Sequence, residues 1–250
     1  MDPLTDAWWV VPTPRPAARR RLFCFPYAGG SAPVYHKLQR ALPADVEVCC
    51  LQPPGRGFRM RDPAFHELDA LVAAIDGVLR PRLDRPFALF GHSMGALVAF
   101  ELTRRLRAGG GPLPGHLFAS AAPAPQVARP RLVSTALEAP AFWAAVNQLY
   151  GTPAQAMADP ALLELAVPPL KDDFRILVAY RYRAEAPLPM PITAFMGSAD
   201  PMVDRAGAEA WREQTTAAFA LHQIPGPHLY LRDAPPPLPA LVAAALATVT

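Results

Sequence analysis

Gly91-His92-Ser93-Met94-Gly95 is the stretch of this sequence whose residue types and spacing most directly imply chemistry. The pentapeptide reads G-x-S-x-G. It follows the apolar run Phe87-Ala88-Leu89-Phe90 and precedes a segment in which Leu97, Val98, Phe100, Leu102 and Leu106 recur with helical spacing. Strand, sharp turn, helix is the context in which this pattern lifts a serine hydroxyl onto the tip of a strained turn, with small residues where two backbones crowd together. The helix that follows aims its first N–H groups at whatever the serine attacks. A serine hydroxyl is a weak nucleophile at neutral pH. Ser93 therefore requires a base within hydrogen-bond reach and a carboxylate that fixes the tautomer of that base.

Six histidines compete for the role of base. His36 and His66 precede the nucleophile, and His92 sits inside the turn, pointing away from its neighbour. His116 opens an apolar run and His222 lies within one, whereas His228 follows the last such run in the loop Pro225-Gly226-Pro227-His228. Among the carboxylates, Asp200 ends a strand at the same sheet edge as Ser93, and Asp204 stands at the start of the next helix. Asp172, Asp173 and Asp233 are less well placed.

The elements that must position these groups are legible as alternating patterns. Trp8 to Val11 reads as an edge strand, Leu22 to Phe25 and Val46 to Leu51 as strands covered on both faces, and His116 to Ala122 as a further strand. Between them, Val34 to Ala41 and Leu68 to Leu83 read as helices, and Gly109-Gly110-Gly111 ends the helix after Ser93. Strand alternating with helix predicts α/β class: a mostly parallel central sheet with helices on both faces. The alternation breaks at about 124–187, where helical patterns alone occur, over Phe142 to Tyr150, Pro160 to Val167 and Lys171 to Arg183. Such an insertion between core strands reads as a helical lid over the site of a single domain spanning 1–250. The pattern resumes with a strand over Pro191 to Met196, a helix from Asp204 to Thr215, a strand from Phe219 to Ile224 and an apolar C-terminal helix.

Composition narrows the function classes. With 52% hydrophobic residues in 250, the chain can bury a large core, and a net charge of +3 without a basic stripe argues against nucleic acid. Cys24, Cys49 and Cys50 all lie in strand-like runs and read as reduced core residues of a cytoplasmic protein; Cys49-Cys50 lacks the spacing of a metal site. Met1 to Asp6 lacks a basic n-region and an apolar h-region, and no apolar run reaches transmembrane length, which predicts neither a signal peptide nor a membrane partner. A phosphate cradle at Gly29-Gly30 is a weak alternative, since neither G-x-G-x-x-G nor G-K-[ST] is present.

The elbow resembles that of the α/β-hydrolases. In that superfamily the chain order is serine, acid, histidine, which selects Asp200 and His228, and a loop after an early strand supplies one oxyanion-hole N–H while the residue after the nucleophile supplies the other. That pattern points to Ala28 and Met94. A closer resemblance covers nearly the whole chain. Phe23-Cys24-Phe25-Pro26-Tyr27-Ala28-Gly29-Gly30-Ser31-Ala32, Pro54-Gly55-Arg56, Phe90-Gly91-His92-Ser93-Met94-Gly95-Ala96 with Phe100-Glu101-Leu102, Asp172-Asp173-Phe174, Gly197-Ser198-Ala199-Asp200 and Gly226-Pro227-His228 are similar, in order and spacing, to the type II thioesterases that edit polyketide and nonribosomal peptide synthesis. Departures occur at Gly57-Phe58-Arg59, at Leu229 after the histidine and at Lys171.

The resemblance implies an α/β-hydrolase fold and hydrolysis of acyl groups from the phosphopantetheine arm of acyl or peptidyl carrier proteins, met transiently by a monomer with no cofactor or metal of its own. It implies Ser93, Asp200 and His228 as triad, with Ala28 and Met94 as oxyanion donors. Carrier proteins are acidic, so Arg56, Arg59, Arg61, Arg181 and Arg183 either steer docking or form a solvated face. A generic carboxylesterase or lipase, an acyl-transferring or cyclising enzyme, and a non-catalytic binding protein on a hydrolase scaffold are the competing readings.

Overall fold

The computed structural model describes residues 7–128, 132–150 and 160–250; the expectations for Met1 to Asp6 and for parts of the 124–187 insertion lie outside them. Seven strands form one sheet: β1 (Trp9–Val10), β2 (Arg20–Phe25), β3 (Val46–Leu51), β4 (Phe87–His92), β5 (Leu117–Ser120), β6 (Ile192–Gly197) and β7 (Phe219–Ile224), in the order β1-β3-β2-β4-β5-β6-β7. Only β1 is antiparallel, pairing Trp9 with Leu51; every other neighbour pair is parallel. The chain steps outward from β2 to β3, then crosses back to lay β4 on the other side of β2. At such a reversal the loops leaving the two strands diverge and open a crevice at their carboxyl ends. The loops after β2 and β4 carry Ala28 and Ser93.

Alternation along the strands divides the core into two layers. Phe23, Phe25, Leu89, Leu117 and Ala119 face α2 (Leu68–Leu79) and α3 (Met94–Ala108). Leu22, Cys24, Ala88, Phe90 and Phe118 face the side that includes α1 (His36–Ala41) and α7 (Pro237–Leu246). With both faces covered, the strands read as continuous apolar runs. The three cysteines are free and buried in these layers; burial pushes the Cys49 thiol up to about 12, so it is inert.

Between β5 and β6 stand α4 (Ala139–Tyr150) and α5 (Pro160–Ala179), joined by a separate apolar cluster that includes Phe142, Trp143, Val146, Leu170 and Phe174. The two helices expected over 160–183 are one, running through Pro168-Pro169, and residues 180–189 are not helical. Proline normally ends a helix by removing an N–H donor. Here Val167, Leu170, Phe174 and Leu177 keep one buried stripe on either side of the pair, while Glu164 and Leu165 opposite are exposed. Packing outweighs the local preference. The helix expected from Asp204 to Thr215 is likewise shorter: α6 (Arg205–Glu209), then a 3-10 turn over Ala210–Gln214.

Candidate active site

Ser93 connects β4 to α3 with φ 55° and ψ −115°, a conformation an L-residue holds only under constraint. The constraint is the closeness of the two flanking glycines. A Cβ on Gly91 would lie 2.1 Å from the Gly95 carbonyl oxygen, and one on Gly95 would lie 1.9 Å from that of Phe25. Helix α3 therefore begins in contact with the ends of β2 and β4, which aims its amino terminus across the crevice.

The structure brings Ser93, His228 and Asp200 together from three loops. His228 Nε2 lies 2.9 Å from Ser93 Oγ, and His228 Nδ1 lies 2.8 Å from Asp200 Oδ2. The carboxylate on Nδ1 makes that nitrogen the N–H donor, so Nε2 accepts the Ser93 hydroxyl proton. Asp200 is held from its other side, where Oδ1 accepts the Met202 N–H at 2.8 Å. The Asp200 side chain is 0% exposed and that of His228 4%, so the relay is screened from bulk water. Asp204 is elsewhere engaged: it caps α6, accepting the Gly207 N–H at 2.7 Å.

His92 performs a task its position in the elbow did not disclose. Its Nε2 lies 2.9 Å from the His228 carbonyl oxygen and its Nδ1 2.9 Å from Ser120 Oγ, which in turn meets Tyr230 Oη at 2.5 Å. Since a carbonyl can only accept, His92 Nε2 donates, Nδ1 accepts the Ser120 hydroxyl, and the Tyr230 hydroxyl donates to Ser120. The chain of donors ends on the backbone of His228 and holds that residue from behind. Burial, with the neighbouring His228 and Arg232 adding to it, lowers His92 to about 3, so the donor pattern is neutral throughout the working range.

The remaining histidines lie off the relay. His66 approaches Asp172 at 3.2 Å, His116 bonds Thr193 at 2.8 Å, and His222 stacks on Phe195. Burial lowers His116 to about 4. Both His92 and His116 thus take up protons readily when unfolded, near an ordinary value of 6.5, and poorly when folded. The unfolded chain binds more protons between these limits, so stability is full above about pH 6.5 and falls on acidification, each histidine contributing roughly 1.4 kcal/mol per pH unit. Urea midpoints for His116→Gln should therefore fall less steeply than wild type from pH 6.5 to 4.5; an unchanged slope would count against this linkage.

The loop after β2 makes a turn in which Gly30 N–H donates to Tyr27 O at 2.8 Å, with Gly29 at φ +75° as its third residue. A left-handed third residue is what a type II turn requires. Tyr27 Oη accepts from Arg232 Nε at 2.9 Å. The rim arginines correct one expectation. Arg56 and Arg59 do not face solvent: each is under 10% exposed, Arg56 paired with Asp173 and Arg59 with Asp62, and the Arg59 guanidinium also lies over the Trp8 ring. Arg61 is exposed, and Arg183 pairs with Asp69. Asp173 is not the triad acid, and although Asp172-Asp173-Phe174 belongs to the motifs of the resemblance, no local signal identifies its partners, which lie more than a hundred residues away.

Two cavities meet at Ser93 and His228. One, of about 490 Å³, runs beneath α4 and α5 past Ala28, Gly29, Trp143 and Leu170 and opens beside Met60 and Leu165. The other, of about 370 Å³, is lined mainly by apolar groups, among them Ala122, Val127, Leu132, Met202 and Val203. Tyr150 and Leu177 border both. Among the described residues no cluster of His, Cys, Asp and Glu could hold a metal ion, and no helix is long and apolar enough to cross a membrane.

Known proteins share this architecture. The thioesterase domain family model matches residues 20–244. The chain is 38% identical to the protein named linear gramicidin dehydrogenase LgrE of Brevibacillus parabrevis, over 96% of this chain and 92% of that one. Among solved structures, RedJ, a thioesterase of the prodiginine biosynthetic pathway of Streptomyces coelicolor, superposes with a TM-score of 0.87 at 36% identity, covering 94% of this chain and 89% of its own. The type II thioesterase BorB of the borrelidin biosynthetic cluster superposes at 0.84 with 35% identity, covering 98% of each. A family match across most of the length and a mostly parallel sheet with a serine elbow after its central strand lead to one conclusion: this chain belongs to the thioesterase domain family, has the α/β-hydrolase fold, and is a type II thioesterase of the polyketide and nonribosomal peptide kind.

Proposed function

We propose that this chain releases aberrant or stalled acyl groups from the phosphopantetheine arm of acyl or peptidyl carrier proteins by a Ser93 acyl-enzyme mechanism, with Asp200 and His228 completing the triad and no cofactor of its own. The observation that carries this reading is the Ser93–His228–Asp200 relay standing where two cavities join. A carrier-bound thioester is a long polar arm and an acyl chain meeting at one carbonyl. Both cavities have mainly apolar walls; the larger, which also carries Arg56 and Arg232, suits the arm, and the smaller suits the chain. Helices α4 and α5 act as the lid over this junction, part of the single domain.

His228 takes the Ser93 proton through Nε2 as Oγ attacks the thioester carbonyl, and the Asp200 carboxylate stabilises the imidazolium that forms. The N–H groups of Ala28 and Met94 receive the oxyanion; one such donor lowers the barrier by about 3–4 kcal/mol. The arm leaves as a thiol, taking its proton from His228. Water, deprotonated by His228, then attacks the acyl-Ser93 carbonyl and releases the acid.

A panel of acyl-carrier proteins, acyl-N-acetylcysteamine thioesters and p-nitrophenyl esters tests the reading. The carrier-borne thioester should give the highest kcat/KM; equal or better turnover of simple esters would make this a generic esterase. Met60 and Leu165 are large apolar side chains more than half exposed at the cavity mouth, and they suit contact with a carrier. Met60→Glu/Leu165→Glu should raise KM for an acidic carrier protein by about tenfold and leave the small thioester unchanged. An equal effect on both substrates would mean these residues do not meet the carrier.

A further inference from the structure

A buried carboxylate on α5 lies outside the triad yet touches the loop that carries Ala28. Asp173 Oδ2 accepts the Gly29 N–H at 2.7 Å, and the Arg56 guanidinium grips the same carboxylate through Nη1 at 2.5 Å and Nη2 at 2.8 Å. Arg56 Nη1 also lies 3.4 Å from the Gly30 carbonyl oxygen, so it bridges the loop and the helix. Asp173 is 3% exposed and Arg56 9%. The contact is close all along: a Cβ on Gly29 would come within 2.8 Å of Leu170 Cδ1. Burial alone would lower the Arg56 pKa, but the neighbouring Asp173 charge more than reverses this, and the guanidinium stays charged.

Ion pairs buried this deeply are a poor way to gain stability, because desolvation cancels much of the attraction and apolar pairs of similar volume often serve as well. Tying α5 to the body would need no charge. What an apolar pair cannot do is accept the Gly29 N–H. We propose that Asp173 is a positioning residue for the oxyanion donor at Ala28: its carboxylate, aimed by Arg56, holds the 28–29 peptide and thereby the direction of the neighbouring Ala28 N–H. An oxyanion hole works only when its donors are fixed before charge develops. The lid helix is therefore a structural part of the oxyanion hole as well as its cover.

The inference rests on the proposed serine mechanism with Ala28 as donor, and its test separates the two. Acetyl-N-acetylcysteamine is the substrate, and a trifluoromethyl ketone analogue, which forms a hemiketal oxyanion on Ser93, reports the hole directly. Arg56→Met/Asp173→Leu removes both charges at once and leaves Gly29 without an acceptor. Arg56→Gln/Asp173→Asn is also neutral but keeps an amide oxygen at 173. The apolar pair should lose about 100-fold in kcat with KM within about threefold, and bind the ketone correspondingly more weakly. The amide pair should recover most of both. A folded apolar pair with kcat and ketone affinity within about threefold of wild type would overturn the proposal, as would an amide pair no better than the apolar one. Should the apolar pair not fold, Arg56→Gln/Asp173→Ser, whose hydroxyl is too short to reach Gly29, makes the same comparison. Wild-type protein inert toward these substrates and toward fluorophosphonate would instead remove the serine mechanism itself.

Discussion

Ser93→Ala protein should fold as wild type and lose about four to six orders of magnitude in kcat on acyl thioesters. The effect is large because the hydroxyl is the one group no neighbour can replace. His228 Nε2 points at Ser93 Oγ from 2.9 Å and, without it, can only activate water at a poorly placed carbonyl. What survives is the contribution of binding and of the oxyanion donors alone. Alanine keeps the Cβ that makes φ 55°, ψ −115° costly, so its melting temperature should match wild type. Ser93→Gly separates strain from chemistry. Equally inactive, it should be more stable by about 1–2 kcal/mol, because glycine accepts positive φ without a steric penalty. Turnover of acetyl-N-acetylcysteamine, fluorophosphonate labelling and thermal melts read all three proteins. A soluble, folded Ser93→Ala protein with wild-type turnover would end the nucleophile assignment.

The second large effect concerns a residue with no side chain. Gly95→Ala should destabilise the fold by more than about 4 kcal/mol, or yield a protein whose turnover is lost although the triad residues are intact. Its Cβ would lie 1.9 Å from the Phe25 carbonyl oxygen, 2.5 Å from the carbonyl carbon and 2.8 Å from the Pro26 carbonyl oxygen. All three are backbone atoms, so no rotamer change relieves the contact. Helix α3 must retreat from the end of β2, and with it move Met94 and the loop bearing Ala28, the two sides of the proposed oxyanion hole. Gly77, on α2, is the control: a Cβ there meets nothing within 4 Å. Gly77→Ala should stabilise the protein by roughly 0.5–1 kcal/mol through helix propensity. Urea titrations of both variants beside wild type decide the matter. A Gly95→Ala protein as stable and active as wild type would show that the β2–α3 contact tolerates what its geometry forbids.

Much of the fold was legible because its signals are local. Continuous apolar runs bounded by Gly and Pro marked the parallel strands, and the switch to helical spacing after Gly95 marked α3. The strand order follows from few rules once the alternation is seen, whereas the exact ends of α5 and α6 do not. Pro168-Pro169 reads locally as a break, and only the buried stripe carries the helix through it, Val167, Leu170 and Phe174 packed with α4 and Ala28, and Leu177 entering the main core.

The same division runs through the site. Ser93 declares itself from five residues and their flanks, because the strained turn needs small residues at fixed offsets. Asp200 and His228 could be ordered along the chain, but that Asp200 rather than Asp204 faces His228 depends on how β6 and β7 register, Gly197 beside Ile224, and on which carboxylate the start of α6 consumes. His92 and Asp173 both stand in motifs the sequence shows, Gly91-His92-Ser93 and Asp172-Asp173-Phe174, but nothing local says what their side chains touch. Their partners lie 136 and 144 residues away, and a hydrogen bond between such groups exists only once the sheet has brought the loops together. Residue types and spacing were enough for the class of fold, for Ser93 as the candidate nucleophile and for the groups that compete to serve it. Tertiary structure decided which of them touch, because direction and burial are properties of the packed backbone and not of residue type.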